Sequence, residues 1–416
     1  MTGARPYVPR TGQRPVAAPQ FPQDRRRQLL VWWREIDRVL LGLVLGLMAL
    51  GSLAVLAASP ASAGRLSTSE VALGELHWFW LHLRWQVLGI CVLVATSLVP
   101  PDSARRGSIM LAAVMLLCLL LVPFIGTEKN GAVRWLNVGM LFQPSEFLKP
   151  AFAVLVAWIL SWQARDPGLP VIGISGAVLG LIVLLLMAQP NLGEAILFIG
   201  CWFVLVLLAG LPMKRIGIMS AAGVALMGLV YLFYENGRNR IDAFFGGGTA
   251  YDQVDLASRT LLGGGWTGTG LGLGTQKMRL PEAHTDYIFS VIGEEFGLLA
   301  CGVFVLLYTA IVVRVVMRTV AEDRLFIILA ATGLIALFGG QAFINILMNL
   351  QLFPSKGMTL PLVSYGGSST IAQCFTVGLL LAVTRRNPYL SSDTFALPQP
   401  GSKLAGSKQG NRGAKR

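Results

Sequence analysis

Residues 280–298, LPEAHTDYIFSVIGEEFGL, mark the point where a long polar segment turns into an apolar helix. Glu282, His284 and Asp286 alternate just before the apolar residues begin. From Asp286 onward, small and polar residues recur at helical spacing, with Ser290 four residues later, so they share one helix face. An ionisable group at a membrane boundary is costly and is more often functional than structural. The stretch therefore predicts a membrane helix with a functional carboxylate at its start.

The composition predicts an all-α polytopic membrane protein. Of 416 residues, 54% are hydrophobic and only 13% are charged, against about a quarter charged in soluble proteins. The apolar residues come in runs of roughly twenty, the length a helix needs to cross a bilayer. We expect ten transmembrane helices, at 39–58, 80–99, 108–126, 145–163, 171–189, 192–210, 214–234, 286–313, 325–349 and 364–384.

The net charge of +13 lies mostly in two tails, residues 1–38 and 385–416, on either side of the membrane domain 39–384. Both tails are polar and lack periodicity, so we expect them to be disordered. Basic residues also concentrate in alternate loops, which places both termini in the cytoplasm. Anionic lipid accounts for such tails. Because no basic face carries interleaved aromatic residues, nucleic-acid binding is not expected.

The long loop 235–285, between predicted helices 7 and 8, is expected outside the cytoplasm although it carries five cations, which suggests an anionic ligand. Its glycine-rich part, Gly263 to Gly274, lacks both the complete dinucleotide pattern and a G-K-[ST] ending. We interpret it as a flexible, close-packed surface segment. The five cysteines lie in apolar runs without metal-ligand spacing, so we expect no metal site among them.

Three separated motifs resemble signatures of the SEDS family (shape, elongation, division and sporulation): PEAHTDYIFSVIGEEFG, QPSEFLK and TLPLVSYGGSS. The resemblance runs from about residue 39 to Pro388 and is closer to the family's division member than to its elongation member. It implies the ten-helix SEDS fold and a peptidoglycan glycosyltransferase that polymerises lipid II and releases undecaprenyl pyrophosphate. The family's essential aspartate falls on Asp286. Its other functional positions fall on Glu146, Lys149, Arg238, Arg240 and the segment Ser364 to Ser369, which includes Ser368. The chain departs from the family at Asn191, where an aspartate is usual, so no acid or metal ligand is assigned there.

The chemistry of this reaction fits the residues available. A sugar hydroxyl is a poor nucleophile, so a general base helps, and partial burial would raise the pKa of Asp286 into the useful range. The departing pyrophosphate needs cations. Candidates on outside loops are Arg134, Arg240 and Lys356, with His284 as a hydrogen-bond partner. A divalent cation, Mg²⁺ or Mn²⁺, could assist at a site the sequence does not locate. Direct displacement predicts inversion at the anomeric carbon.

The resemblance also implies partners and a location. We expect a class B penicillin-binding protein (an FtsI-like transpeptidase), other membrane proteins of the division machinery, and membrane lipid. The expected location is the bacterial inner membrane at the division septum.

Simpler interpretations stay open. Asp286 could only cap a helix, Glu146 and Lys149 could form a structural ion pair, and Lys356 could snorkel to the interface. Glu294 and Glu295 are expected to form interhelical pairs. A transporter that flips lipid II or another polyprenyl lipid, or a non-catalytic scaffold, are the alternative functions; the scaffold predicts that Asp286 is dispensable.

Overall fold

Apolar runs of helical length form most of the computed structural model. It describes residues 25–67, 73–129, 132–137, 139, 141–166, 168–210, 250–354 and 357–385, with scattered residues between 211 and 249. The helices in these ranges are α1 Arg25–Glu35, α2 Arg38–Leu66, α3 His77–Leu98, α4 Pro101–Ile125, α5 Pro144–Ser161, α6 Val171–Ala188, α7 Leu192–Leu208, α8 Ala250–Gly263, α9 Ile288–Val320, α10 Leu325–Asn349 and α11 Gly367–Val383. Two 3₁₀ turns follow α5 and α8, at Trp162–Ala164 and Gln276–Met278.

Most of the described membrane helices agree with the sequence prediction. Seven helices in the described ranges are long and apolar enough to span a bilayer, and α7 and α11 are shorter apolar helices. Nine of the ten predicted segments therefore coincide with described helices. The remaining segment, 214–234, falls where only scattered residues are described. A multi-pass helical membrane protein is confirmed, and the count of ten helices stays a prediction.

A small sheet departs from the predicted all-α fold. Strands β1 Thr127–Lys129, β2 Ala132–Asn137 and β3 Leu141–Phe142 form an antiparallel sheet in the order β1-β2-β3 between α4 and α5. Two residues of β2, Val133 and Trp135, are of types that favour extended backbone. The prediction missed the sheet because its strands are too short to give a periodic signal.

The helix after Asp286 is broken, contrary to the single predicted span 286–313. Gly297 interrupts α9 with φ 82° and ψ 174°, a left-handed φ that favours glycine. Phe289 and Cys301 are twelve residues apart, yet the Cys301 thiol contacts the Phe289 carbonyl oxygen at 3.9 Å. A straight helix would separate residues at this spacing by about 18 Å. The first part of α9, residues 288–296, is therefore a short half-helix that folds back on the spanning part.

An ion-pair cluster surrounds the buried Asp37, which precedes α2. Asp37 caps α2 by accepting hydrogen bonds from the amides of Val39 and Leu40, both at 3.1 Å. Its carboxylate also pairs with Arg314 and Arg318 of α9, with nitrogen–oxygen distances of 2.8 Å. Burial alone raises the pKa of Asp37, but the Arg314 and backbone hydrogen bonds and the two arginine charges outweigh it and hold the pKa below its ordinary value. This cluster joins the start of α2 to the end of α9.

Residues 37–385 form one compact unit, and residues 1–36 with 386–416 are assigned to another. The second unit includes α1, so the predicted disorder of tail 1–38 does not hold for Arg25–Glu35. This part of the tail lacks the proline of the preceding residues and contains the apolar run LLVWW, which favours a helix. Residues 386–416 lie outside the described ranges.

Candidate active site

Asp286 lies at a point where its backbone is held by polar side chains. Its carbonyl oxygen accepts hydrogen bonds from the amides of Asn345 at 2.9 Å and Asn349 at 3.3 Å, both in the last turns of α10. A Cβ built on Gly357 would lie 3.3 Å from Asp286 Oδ2, so the backbone of that loop borders the carboxylate. The N-cap of α9 is Tyr287, without a side-chain cap. Asp286 therefore lies one residue before the N-cap position.

The SYGG motif holds the residues just before Asp286. The Ser364 hydroxyl donates to the Thr285 carbonyl oxygen at 2.6 Å, and the Tyr365 amide donates to the His284 carbonyl oxygen at 2.9 Å. The buried His284 ring packs between Trp78, at 4.5 Å between ring centroids, and Tyr365, at 5.5 Å. Burial raises the pKa of the Tyr365 phenol, which keeps it neutral. The two distant motifs thus form one structural unit.

A buried polar network is built around Lys149 of α5. The Lys149 ammonium donates to Glu146 Oε1 and to Gln341 Oε1 of α10, both at 2.8 Å. It also lies 3.7 Å from Glu194 Oε1 of α7. These three charged side chains are at most 7% exposed. The Gln373 amide of α11 donates to Gln341 Oε1 at 3.0 Å, so four helices meet at this network.

The network holds two carboxylates and one ammonium, and side-chain amides provide further donors to Glu194. The Gln143 side chain donates to Glu194 Oε1 at 3.1 Å, and the Asn191 side chain donates to Glu194 Oε2 at 2.8 Å. A buried carboxylate is tolerated only when its oxygens are paired in this way. Asparagine at 191 supplies a donor where an aspartate would add a third negative charge.

The loop 357–366 links this network to Asp286. The Gln341 amide donates to the Thr359 carbonyl oxygen at 2.9 Å. The Thr359 and Ser369 hydroxyls are 3.0 Å apart, and Ser369 donates to Glu146 Oε2 at 3.2 Å. In the same loop, Gly357 borders Asp286. The predicted carboxylate and the predicted Glu–Lys pair therefore border the same loop.

The other predicted site residues have different outcomes. Arg134 donates from Nε to the Gln189 carbonyl oxygen at 3.1 Å and from Nη2 to the Pro190 carbonyl oxygen, beside the Glu194 part of the network. Ser368 is half-buried in the first turn of α11, and Arg238 is exposed in a helical turn. Arg240 and Lys356 lie outside the described residues.

Some interpretations from sequence were wrong or incomplete. Among the described residues, Glu294 and Glu295 do not form the expected pairs with side chains of other membrane helices. Their carboxylates instead accept hydrogen bonds from backbone amides of residues 272–277, before Asp286. The glycine-rich segment is close-packed against α9, in agreement with the prediction, and most of its residues are at least partly exposed. Glu194 and Gln341 were missed as members of the Lys149 network. For Glu194 a signal existed, since it closes the polar break QPNLGE between two apolar runs.

No predicted metal site can be assigned among the residues the structure describes. In these ranges no three or more His, Cys, Asp or Glu side chains are grouped to hold a metal ion. The five cysteines are free.

Comparisons with known proteins match these features to one family. The family model for FtsW, RodA and SpoVE, described as cell cycle protein, matches residues 37–389. A probable peptidoglycan glycosyltransferase FtsW from Caulobacter vibrioides is 35% identical over 372 residues, covering 88% of this chain and 94% of the relative. The FtsW of the same description from Hahella chejuensis is 33% identical over 373 residues, covering 84% and 90%.

Solved structures show a similar fold. One chain, from work on the structural coordination of polymerization and crosslinking by a peptidoglycan synthase complex, superposes with a TM-score of 0.67 at 25% identity, covering 84% of this chain and 97% of that one. The rod shape determining protein RodA of Thermus thermophilus superposes with a TM-score of 0.61 at 26% identity, covering 85% and 97%.

Proposed function

This chain belongs to the FtsW, RodA and SpoVE family of cell cycle proteins, and from this premise we propose that it polymerises lipid II into glycan strands at the division septum. It is a multi-pass inner-membrane enzyme of the peptidoglycan glycosyltransferase class. The observation that supports the finer proposal is the convergence at Asp286. The SYGG motif and the α10 asparagines hold the backbone of Thr285 and Asp286, and the loop bordering the Lys149 network passes beside the Asp286 carboxylate.

In the proposed reaction Asp286 is the general base. Its carboxylate takes the proton from the acceptor sugar hydroxyl while that oxygen forms a bond to the anomeric carbon of the donor. The bond from the anomeric carbon to the pyrophosphate oxygen breaks, and undecaprenyl pyrophosphate leaves with its electron pair. One displacement inverts the anomeric carbon. Hydrogen bonds to the Asp286 carbonyl oxygen fix the backbone that aims the carboxylate.

Cations complete the proposed site. Negative charge develops on the leaving pyrophosphate and is stabilised by positioned positive groups. We assign this role to Arg134, Arg240 and Lys356, with Arg238 at the start of the long loop. A divalent cation, Mg²⁺ or Mn²⁺, would supply further charge neutralisation, and no step here depends on it. Glu146 and Lys149 shape the wall of the site through Ser369 and Thr359.

The comparisons support part of the proposed setting. A similar chain occurs in a peptidoglycan synthase complex, so we propose that this chain works with a class B penicillin-binding protein, and with other division proteins in the lipid bilayer. Both termini are proposed to be cytoplasmic. With this orientation, α10 begins on the cytoplasmic side, next to Arg324. Asp286 borders the other end of this 25-residue helix, about 37 Å away, and therefore faces outward.

The test is glycan synthesis from lipid II by the purified chain with its transpeptidase partner, with Mg²⁺ or Mn²⁺ present. Asp286→Asn keeps the size of the side chain but removes the base. We expect the rate to fall about 10²- to 10⁴-fold, the usual contribution of a general base. Asp102→Asn is the matched control. Asp102 is exposed in the first turn of α4, and the sheet follows the last turn of the same helix.

Two outcomes would reject the proposal. Unchanged glycan formation by folded Asp286→Asn would remove the proposed mechanism and favour the scaffold. Movement of lipid II across proteoliposome membranes, with no glycan formed by the wild type, would favour the transporter.

A further inference from the structure

The glycine-rich segment before Asp286 fills the break in α9. At Gly297 the helix loses hydrogen bonds, and the segment replaces them. The Thr269 and Gly270 amides donate to the carbonyl oxygens of Glu294 and Glu295 at 2.8 and 3.0 Å. In return, the amides of Leu298 and Leu299 donate to the carbonyl oxygens of Gly265 and Trp266 at 3.0 and 3.2 Å. A Cβ at Gly268 would overlap the Glu295 backbone, so glycine is required for this contact.

Two buried carboxylates bind the end of the same segment. Glu294 and Glu295 are 2% and 1% exposed. Glu294 accepts hydrogen bonds from the amides of Gln276 at 2.6 Å and Lys277 at 2.8 Å. Glu295 accepts from the amides of Gly274, at 3.1 Å, and Gly272. All four carboxylate oxygens therefore have a backbone donor within residues 272–277, and this pairing makes burial of the charges tolerable.

Lys277 completes the contact from the other side. Its ammonium forms an ion pair with Glu295 and donates to the Ala57 carbonyl oxygen of α2 at 2.8 Å. The side chain is 2% exposed. One residue thus ties together α2, the glycine-rich segment and the half-helix of α9.

These contacts lie on both sides of Asp286 in the sequence. Lys277 comes nine residues before it, and Glu295 comes nine residues after it. The chain leaves this point, passes through Asp286 and returns to the same point. We propose that Lys277, Glu294 and Glu295 form a clasp that joins the two ends of residues 277–295, and that they are positioning residues for the Asp286 carboxylate. This inference rests on the proposed function, in which Asp286 is the general base.

The expected effect of opening the clasp is on rate rather than substrate affinity. Asn345 and Asn349 still hold the Asp286 carbonyl oxygen, so residues 277–295 stay in place although their two ends are no longer joined. A displacement of about 1 Å in a reacting group costs about 100-fold in rate. We therefore expect kcat to fall about 10- to 100-fold while KM for lipid II stays near the wild-type value.

The experiment measures kcat and KM for lipid II polymerisation by the full chain with its partner. The variants are Lys277→Met, Glu295→Gln and the double variant, which leaves no unpaired charge at the ion pair and so carries the test if a single variant does not fold. The double variant should lose less than the sum of the two single variants, because both substitutions break the same ion pair. Arg324→Met is the control: it removes an ion pair with Glu322 whose arginine is 65% exposed and which the proposed site does not include, and it should leave both constants unchanged.

The pH dependence of kcat separates positioning from chemistry. If the clasp only positions Asp286, every variant keeps the wild-type profile at a lower amplitude. Loss of one limb in Glu295→Gln would mean that Glu295 itself transfers a proton, which overturns the inference.

Asp286→Asn is measured in parallel to separate the two proposals. If it retains full activity, the general-base function fails first. If Asp286→Asn is inactive while the folded double variant keeps the wild-type kcat, the clasp alone is refuted.

Discussion

Replacing Lys149 by methionine tests whether the buried network is held together by its one ammonium. Methionine keeps a similar length and fits an apolar site. The substitution leaves Glu146 and Glu194 without their shared cation, and both side chains are at most 7% exposed. Breaking a buried ion pair by removing one partner costs about 3–5 kcal/mol, because the remaining charge stays buried without compensation. Here two carboxylates remain, so we expect the loss to fall in the upper half of that range.

The carboxylate side of the pair gives a smaller expected loss. Glu146→Gln leaves Lys149 facing Glu194 at 3.7 Å, so one ammonium balances one carboxylate. The double variant Lys149→Met with Glu146→Gln leaves Glu194 with its donors from Gln143 and Asn191. We therefore expect the double variant to recover at least half of the stability that Lys149→Met loses.

Unfolding in detergent micelles, followed by tryptophan fluorescence against denaturant, measures these differences. Arg324→Met is the control, because Arg324 is 65% exposed in its pair with Glu322, and surface pairs contribute about 0–1 kcal/mol. The reasoning is refuted if Lys149→Met costs no more than this control, or if the double variant is less stable than Lys149→Met alone.

Two further changes test other parts of the fold. Gly297→Ala should lower thermal stability and glycan synthesis together, since its Cβ would overlap the Trp266 backbone, whereas Gly302→Ala, with open space around it in the same helix, should not; equal melting temperatures would contradict this. Asp37 has a depressed pKa when folded, so its contribution is present above its ordinary pKa of 3.8 and is lost as pH falls through the folded value. Asp37→Asn should therefore lower the melting temperature at pH 6 and converge with wild type as the pH is lowered below 4; a constant gap would be the contrary result.

The sequence by itself determined the membrane helices and singled out Asp286 as the candidate functional carboxylate. Apolar runs of about twenty residues specify spanning helices through local hydrophobicity alone. Asp286 could be singled out because a charge at a helix border is conspicuous in an apolar chain. Glu146 and Lys149 were paired correctly since they are three residues apart on one helix, which fixes their proximity without any knowledge of packing.

Tertiary structure alone decided which distant polar residues meet. Glu194 joins Lys149, and Lys277 joins Glu295, only because particular helices and loops pack side by side. An apolar pattern shows that a helix is buried but does not name its neighbours, since lipid-facing and protein-facing positions are equally hydrophobic. The break at Gly297 was hidden for the same reason: a glycine within an apolar run fits a helix equally well until the segment that fills the gap is placed.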